Sequence, residues 1–164
     1  MSHKIRLMLH QDKPTILDIL RRIPEFKPAE LEVAEEVVGS YLSDPSGSGY
    51  IILVAELDSS VVGYVCYGHR SLTEGTWDMY WLAVAPEMQG KRLGKSLVLS
   101  AEDDIKKAGG KLVLIETSSM PEYEKTRNFH CSNGYRLVAR ITDFYALGDD
   151  LLIYEKRFLQ GTPA

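Results

Sequence analysis

One short stretch of this 164-residue chain gathers residue types suited to binding an anion: Gln89, Gly90, Lys91, Arg92, Leu93, Gly94, Lys95 and Ser96 in succession. Gly90 and Gly94 let the backbone come close to a ligand. Lys91, Arg92 and Lys95 bring positive charge to the start of a helix, where the first amides lack an internal acceptor. The pattern predicts a phosphate cradle built from backbone N–H groups and the helix dipole. The same spacing also suits a structural turn that merely opens a helix. A P-loop is excluded because Gln89 stands where its first glycine is needed, and no Gly-x-Gly-x-x-Gly fingerprint of a dinucleotide fold occurs.

Two elements must position this stretch. Before it, Thr76 to Val84 reads as a strand whose apolar end, Leu82, Ala83 and Val84, suits burial on both faces, and Pro86 cannot continue the ladder. After it, Leu93, Leu97, Ala101, Ile105 and Ala108 recur at helical spacing until Gly109 and Gly110 stop them. By the period of two, Asp78 and Tyr80 are expected on the same face as Leu82 and Val84. Glu116 ends the short strand Lys111 to Glu116, at the carboxyl edge where ligands collect. Asp78 and Glu116 are thus candidate bases, with an ion-paired or strand-end role as the competing reading of each.

The rest of the chain supplies further elements. Residues 4 to 10 alternate as a first strand, and Lys13 to Ile23 and Ala29 to Leu42 read as helices, the first capped by Asp12. Tyr50 to Leu57 and Val61 to His69 form a hairpin; Pro121 to Asn133 is a helix closed by Gly134; Tyr135 to Ile141 and Leu151 to Phe158 are the last strands. The strand Lys111 to Glu116 returns after a helical crossover and so is expected to pair in parallel with Thr76 to Val84.

Length predicts one domain spanning residues 1 to 164, with a core that needs neither disulfides nor a metal. The net charge of -4 argues against nucleic acid or an anionic membrane as partner. Cys66 and Cys131 form no framework and read as packed thiols, consistent with a reducing cytoplasm. No run is long and apolar enough to span a membrane, and no signal peptide pattern opens the chain.

Val84 to Lys95 resembles the acyl-CoA signature of the GNAT superfamily of N-acyltransferases, Gln/Arg-x-x-Gly-x-Gly/Ala between a strand and a helix. Gln89 matches its first position and Gly94 its last. Arg92 stands where glycine is usual, and a negative φ would accommodate its side chain. Phe129 to Tyr135 resembles the family's second landmark, Phe-Tyr-x-x-x-Gly-Phe/Tyr, with His130 at the tyrosine position. The resemblance implies an α/β (α+β) GNAT-like domain in the order βααβββαβαββ, a mixed, mostly antiparallel sheet of about seven strands with about four helices. It implies transfer of an acetyl group from acetyl-CoA to a primary amine of a small molecule or protein N-terminus by direct attack, without a metal. An acyl-CoA-binding sensor without turnover is the alternative.

The cofactor contacts that the resemblance implies are Leu82, Ala83, Val84, Gln89, Gly90, Lys91, Arg92, Leu93, Gly94, Lys95, Ser96 and Asn128. His130 falls at the family's usual proton donor to the departing thiolate, although an imidazole of pKa ~6.5 is a low match for a thiol of ~8.5. A histidine that only hydrogen-bonds the cofactor or fills space is the competing reading. Tyr123, Tyr135 and Tyr145 are substitute donors. Asp149 and Asp150 could attract a cationic amine, but the pattern favours a solvated turn around the last hairpin. A homodimer is left open by the resemblance, with no sequence feature to specify its interface.

Overall fold

The computed structural model describes residues 2–159. Its elements are β1 (Lys4–Leu7), α1 (Lys13–Arg21), α2 (Pro28–Ser43), β2 (Ile51–Leu57), β3 (Ser60–His69) and β4 (Thr76–Val84), then α3 (Leu93–Lys107), β5 (Leu112–Ser118), α4 (Glu124–Ser132), β6 (Arg136–Ala146) and β7 (Asp149–Arg157). The order is the expected one. The seven strands form one sheet, β1-β2-β3-β4-β5-β7-β6. Only β4 and β5 pair in parallel.

Several boundaries move for identifiable reasons. β1 stops at Leu7 because Met8 turns into the core and the chain coils into a short turn at His10–Asp12. The Asp12 carboxylate does not cap α1: it accepts hydrogen bonds from the Leu9 amide at 2.8 Å and from Arg6 at 2.7 Å. α3 closes as its glycines predict, with Gly109 at φ +83 and the Gly110 amide donating to the Ile105 carbonyl at 2.8 Å.

The sheet carries a core on each face. On one side Leu97, Ala101 and Ile105 of α3 pack on Val65, Tyr67, Val113, Ile115 and Leu152. On the other, Ile16, Ile19 and Leu20 of α1 and Val38 of α2 pack on Val54, Tyr64, Cys66 and Ala83. Burying side chains of this kind contributes about 1.5–3 kcal/mol each, enough to make both layers cohesive without covalent links.

A β-bulge in β4 changes which residues share a face. Cys66 pairs with Trp81 and Tyr67 with Met79, so Tyr80 is the extra residue. Trp77 and Met79 therefore join the α3-side core with Leu82 and Val84, while Trp81 and Ala83 face the other way. The expectation that Asp78 shares a face with Leu82 and Val84 is thus overturned. Asp78, between Trp77 and Met79, lies on the α1 and α2 side of the sheet.

The parallel seam is short. Thr76, Trp77 and Asp78 pair with Leu112, Val113 and Leu114, and the ladder ends there. β5 then continues against β7 through Ser118, whereas β4 runs on against β3. The two strands part, and from Met79 to Val84 the edge of β4 toward β5 has no strand partner among the described residues.

Candidate acyl-CoA site

At the far end of that unpaired edge the chain makes a short turn at Pro86–Met88 and enters α3. Gly90 has φ +78, and a side chain there would meet nothing within 4 Å. Arg92, at the N-cap, has φ +64 and ψ 8, a left-handed conformation that costs an L-residue about 1–2 kcal/mol. The expected negative φ is not found; the chain keeps a glycine's backbone with an arginine's side chain. The first helical bond runs from the Ser96 amide to the Arg92 carbonyl at 3.0 Å. Ahead of it, the amides of Gly90 through Lys95 donate to no acceptor among the described residues. Six consecutive donors at a helix N-terminus attract an anion through both hydrogen bonding and the helix dipole. Lys91, Arg92 and Lys95 are exposed and form no ion pair among the described residues.

Two neighbours fix the cradle. The Gln89 side chain donates to the Val84 carbonyl at 3.2 Å and accepts from Lys125 Nζ at 2.8 Å, joining the end of β4 to α4. Gly94 lies under the Phe129 ring, where a Cβ would stand 3.3 Å from that ring. Leu93 is buried, Ser96 half-buried and Asn128 exposed one residue before Phe129. Leu82 and Val84 are half-buried beside the open edge, with Ala83 buried between them.

His130 is 5 % exposed, and its Nδ1 has no hydrogen-bond partner among the described residues. Its ring stacks edge-on near Phe129 and Tyr135. Burial without a carboxylate nearby pushes its pKa down to about 4, so the imidazole is neutral at physiological pH. Of the substitute donors, the buried Tyr135 hydroxyl donates to Glu102, and Tyr123 donates to the Glu25 carbonyl at 2.8 Å. Tyr145 is exposed, and its hydroxyl pKa is raised by burial and by the fields of Glu116, Asp149 and Glu30.

Asp78 and Glu116 come together where β4 and β5 part, through a residue the sequence reading missed. Arg70 Nη2 donates to Asp78 Oδ1 at 2.6 Å and lies 3.8 Å from Glu116 Oε1. The signal lay in the hairpin register: with Gly68 opposite Asp78 and His69 opposite Trp77, Arg70 falls opposite Thr76, two positions along on the same face as Asp78 and within reach of its carboxylate. Asp149 is bonded to Ser118, and Asp150 to Arg140 and the Asp143 amide, so both are built into the last hairpin. Cys66 is buried, but Cys131 is exposed, contrary to the expectation of two packed thiols.

The sequence profile of the Acetyltransferase (GNAT) family matches residues 14–135. A GNAT-family protein from Desulfovibrio desulfuricans is 36 % identical, with a TM-score of 0.92 over 95 % of this chain and 99 % of its own. PaiA N-acetyltransferase from Thermoplasma acidophilum, solved with coenzyme A, is 21 % identical with a TM-score of 0.76 over 96 % of this chain and 100 % of its own. YncA from Salmonella typhimurium, solved with acetyl-CoA, is 18 % identical with a TM-score of 0.75 over 99 % and 98 %. The last two are likenesses of fold. No protein of curated function matches the sequence significantly.

Proposed function

Because the chain belongs to the GNAT family of acetyltransferases, we propose that it transfers an acetyl group from acetyl-CoA to the primary amine of a small molecule or a protein N-terminus. One observation carries this reading: six unpartnered amides, Gly90 to Lys95, stand at the end of a strand whose neighbour has turned away. The donors and the open space at Gly90 fit a pyrophosphate, and Lys91, Arg92 and Lys95 add charge that falls off with salt.

Acetyl-CoA supplies the activated thioester. The free backbone edge along Leu82, Ala83 and Val84 holds the pantetheine arm and orients the carbonyl. Gln89, Leu93, Gly94, Ser96 and Asn128 complete the contacts. Glu116, exposed and bound to nothing closer than 3.8 Å, takes a proton from the acceptor ammonium through water. The amine nitrogen attacks the carbonyl carbon, the carbon–sulfur bond breaks, and the proton that the nitrogen sheds on becoming an amide passes to the departing thiolate. Asp78 holds Arg70 in place. His130, neutral in its buried position, hydrogen-bonds the departing sulfur rather than delivering a full proton.

Calorimetric titration with acetyl-CoA, beside the double variant Gly90→Asp and Gly94→Asp, tests the cradle. Binding by the wild type that the variant abolishes, followed by CoA release with an amine, is the expected result. Absence of binding to the folded wild type overturns the proposal. The second reading, an acyl-CoA-binding sensor, draws on His130, whose neutral ring leaves the tyrosine position without a strong acid. Tight binding with no CoA release across an amine panel selects it.

A further inference from the structure

We propose that the acceptor is an amino carboxylate, an α-amino acid in type, gripped through both of its charges by Arg70 and Glu116 where β4 and β5 part; this rests on the transferase reading of the same site. Asp78 is the last β4 residue paired with β5, is 7 % exposed, and accepts from Arg70 Nη2 at 2.6 Å. The buried acid fixes one arm of the guanidinium. Nη1 and Nε make no hydrogen bond among the described residues, and the Arg70 side chain is 44 % exposed. A planar fork with free donors, held from behind, matches a carboxylate bidentately.

Glu116 lies two residues beyond Leu114, the partner of Asp78, and so projects from the same face of the sheet. Its side chain is 47 % exposed and lies 3.8 Å from Arg70 Nη2, too far for a hydrogen bond, so its oxygens remain open to an ammonium. A positive fork and a negative carboxylate stand side by side. In an α-amino acid the ammonium and carboxylate are joined through one carbon, which is the complementary arrangement. A diamine offers Arg70 only a second positive charge.

The surroundings suit the remainder of such a molecule. Tyr80, the bulged residue, is half-exposed beside Asp78 and packs edge-on against Tyr50 at 5.4 Å. On this face of the sheet α1 packs on β3 and β4 and α2 on β2, whereas Leu114 and Ile153 of the neighbouring strands are only half-buried. Acetylation removes the positive charge of the amine, so the product loses its hold on Glu116 while keeping that on Arg70. Grip through two charges thus favours substrate over product.

The test is calorimetric titration of CoA-saturated protein with matched pairs: phenylalanine and phenethylamine, leucine and isopentylamine, lysine and cadaverine. At least one amino acid is expected to bind tenfold or more tightly than its decarboxylated partner. Arg70→Gln should erase that preference, and so should Arg70→Lys, which keeps a cation against Asp78 but removes the fork. Circular dichroism melts check that each variant folds. A preference for the simple amines, equal affinity, no binding of any pair, or a preference that survives in both variants overturns the proposal. Release of CoA from acetyl-CoA with the same acceptors tests the transferase separately. Amino acid binding without release leaves the charged grip standing and overturns the transferase; release with no carboxylate preference does the reverse.

Discussion

At the scale of single residues, Arg92 and His130 each hold a position at a local cost. Arg92 occupies a left-handed conformation for which glycine is the usual choice, and its guanidinium is free to meet a phosphate. Arg92→Gly is expected to gain roughly 1 kcal/mol of stability at most, because glycine also loosens the unfolded chain. It should weaken CoA binding by about tenfold, the worth of one charge-assisted hydrogen bond. Urea denaturation and calorimetry then move in opposite directions; a change of the same sign in both removes the charge-for-strain reading. His130 resists protonation in the fold down to about pH 4, whereas unfolded histidine takes a proton near pH ~6.5. Its contribution to stability is thus full above pH ~6.5 and is lost as pH falls toward about 4, on the order of 3 kcal/mol in all. The melting temperature should drop across that window, and His130→Gln should flatten the drop.

At the scale of elements, legibility in the sequence followed how local the determinants were. The sequence pattern gives β4 both of its ends, because an apolar run, a proline and a following glycine turn mark it within the chain itself. α3 was equally plain from its periodicity and its two glycines. The sequence pattern ends β6 at Ile141, but the strand runs to Ala146, because Asp143 has φ +54 and the pairing with β7 jumps from Ile141 to Ala146. That irregularity is set by the Asp150 carboxylate accepting from the Asp143 amide, a contact with no sequence signature. The bulge at Tyr80 was hidden for the same reason: it belongs to the register with β3. One packing contact ties the elements of the cradle together. Glu102 of α3, 1 % exposed, is bound by Lys156 of β7 at 2.9 Å, and Lys156 also donates to the Asn133 carbonyl at the end of α4. Lys156→Met strands a buried carboxylate and should cost about 3 kcal/mol or more in urea denaturation. Acetyl-CoA affinity should fall as well, since Phe129 loses its fixed seat on Gly94.

At the scale of the whole molecule, acetyl-CoA is expected to act as a structural component. Ligand at about 100 times its Kd adds ~2.7 kcal/mol of stability, which for a domain of this size raises the melting temperature by roughly 5–10 °C. Hydrogen exchange should locate the effect. The amides from Gly90 to Lys95, which lack acceptors, exchange fast in the free protein and slow on binding, while Leu97 to Ile105 are protected in both. Equal exchange of residues 90–95 in both states would remove the cradle from the binding site. The seam proposed to admit the cofactor has a mechanical consequence. β1 to β4 and β5 to β6 are two plates welded along three residue pairs; α3 packs on the first plate, and its Glu102 is tied to Lys156 of β7 on the second. Under tension across the sheet the weld parts before either plate tears. On the proposed function, a pantetheine arm laid in the gap is expected to act as a rivet, so the force needed to separate the plates would report occupancy of the site with no chemistry taking place.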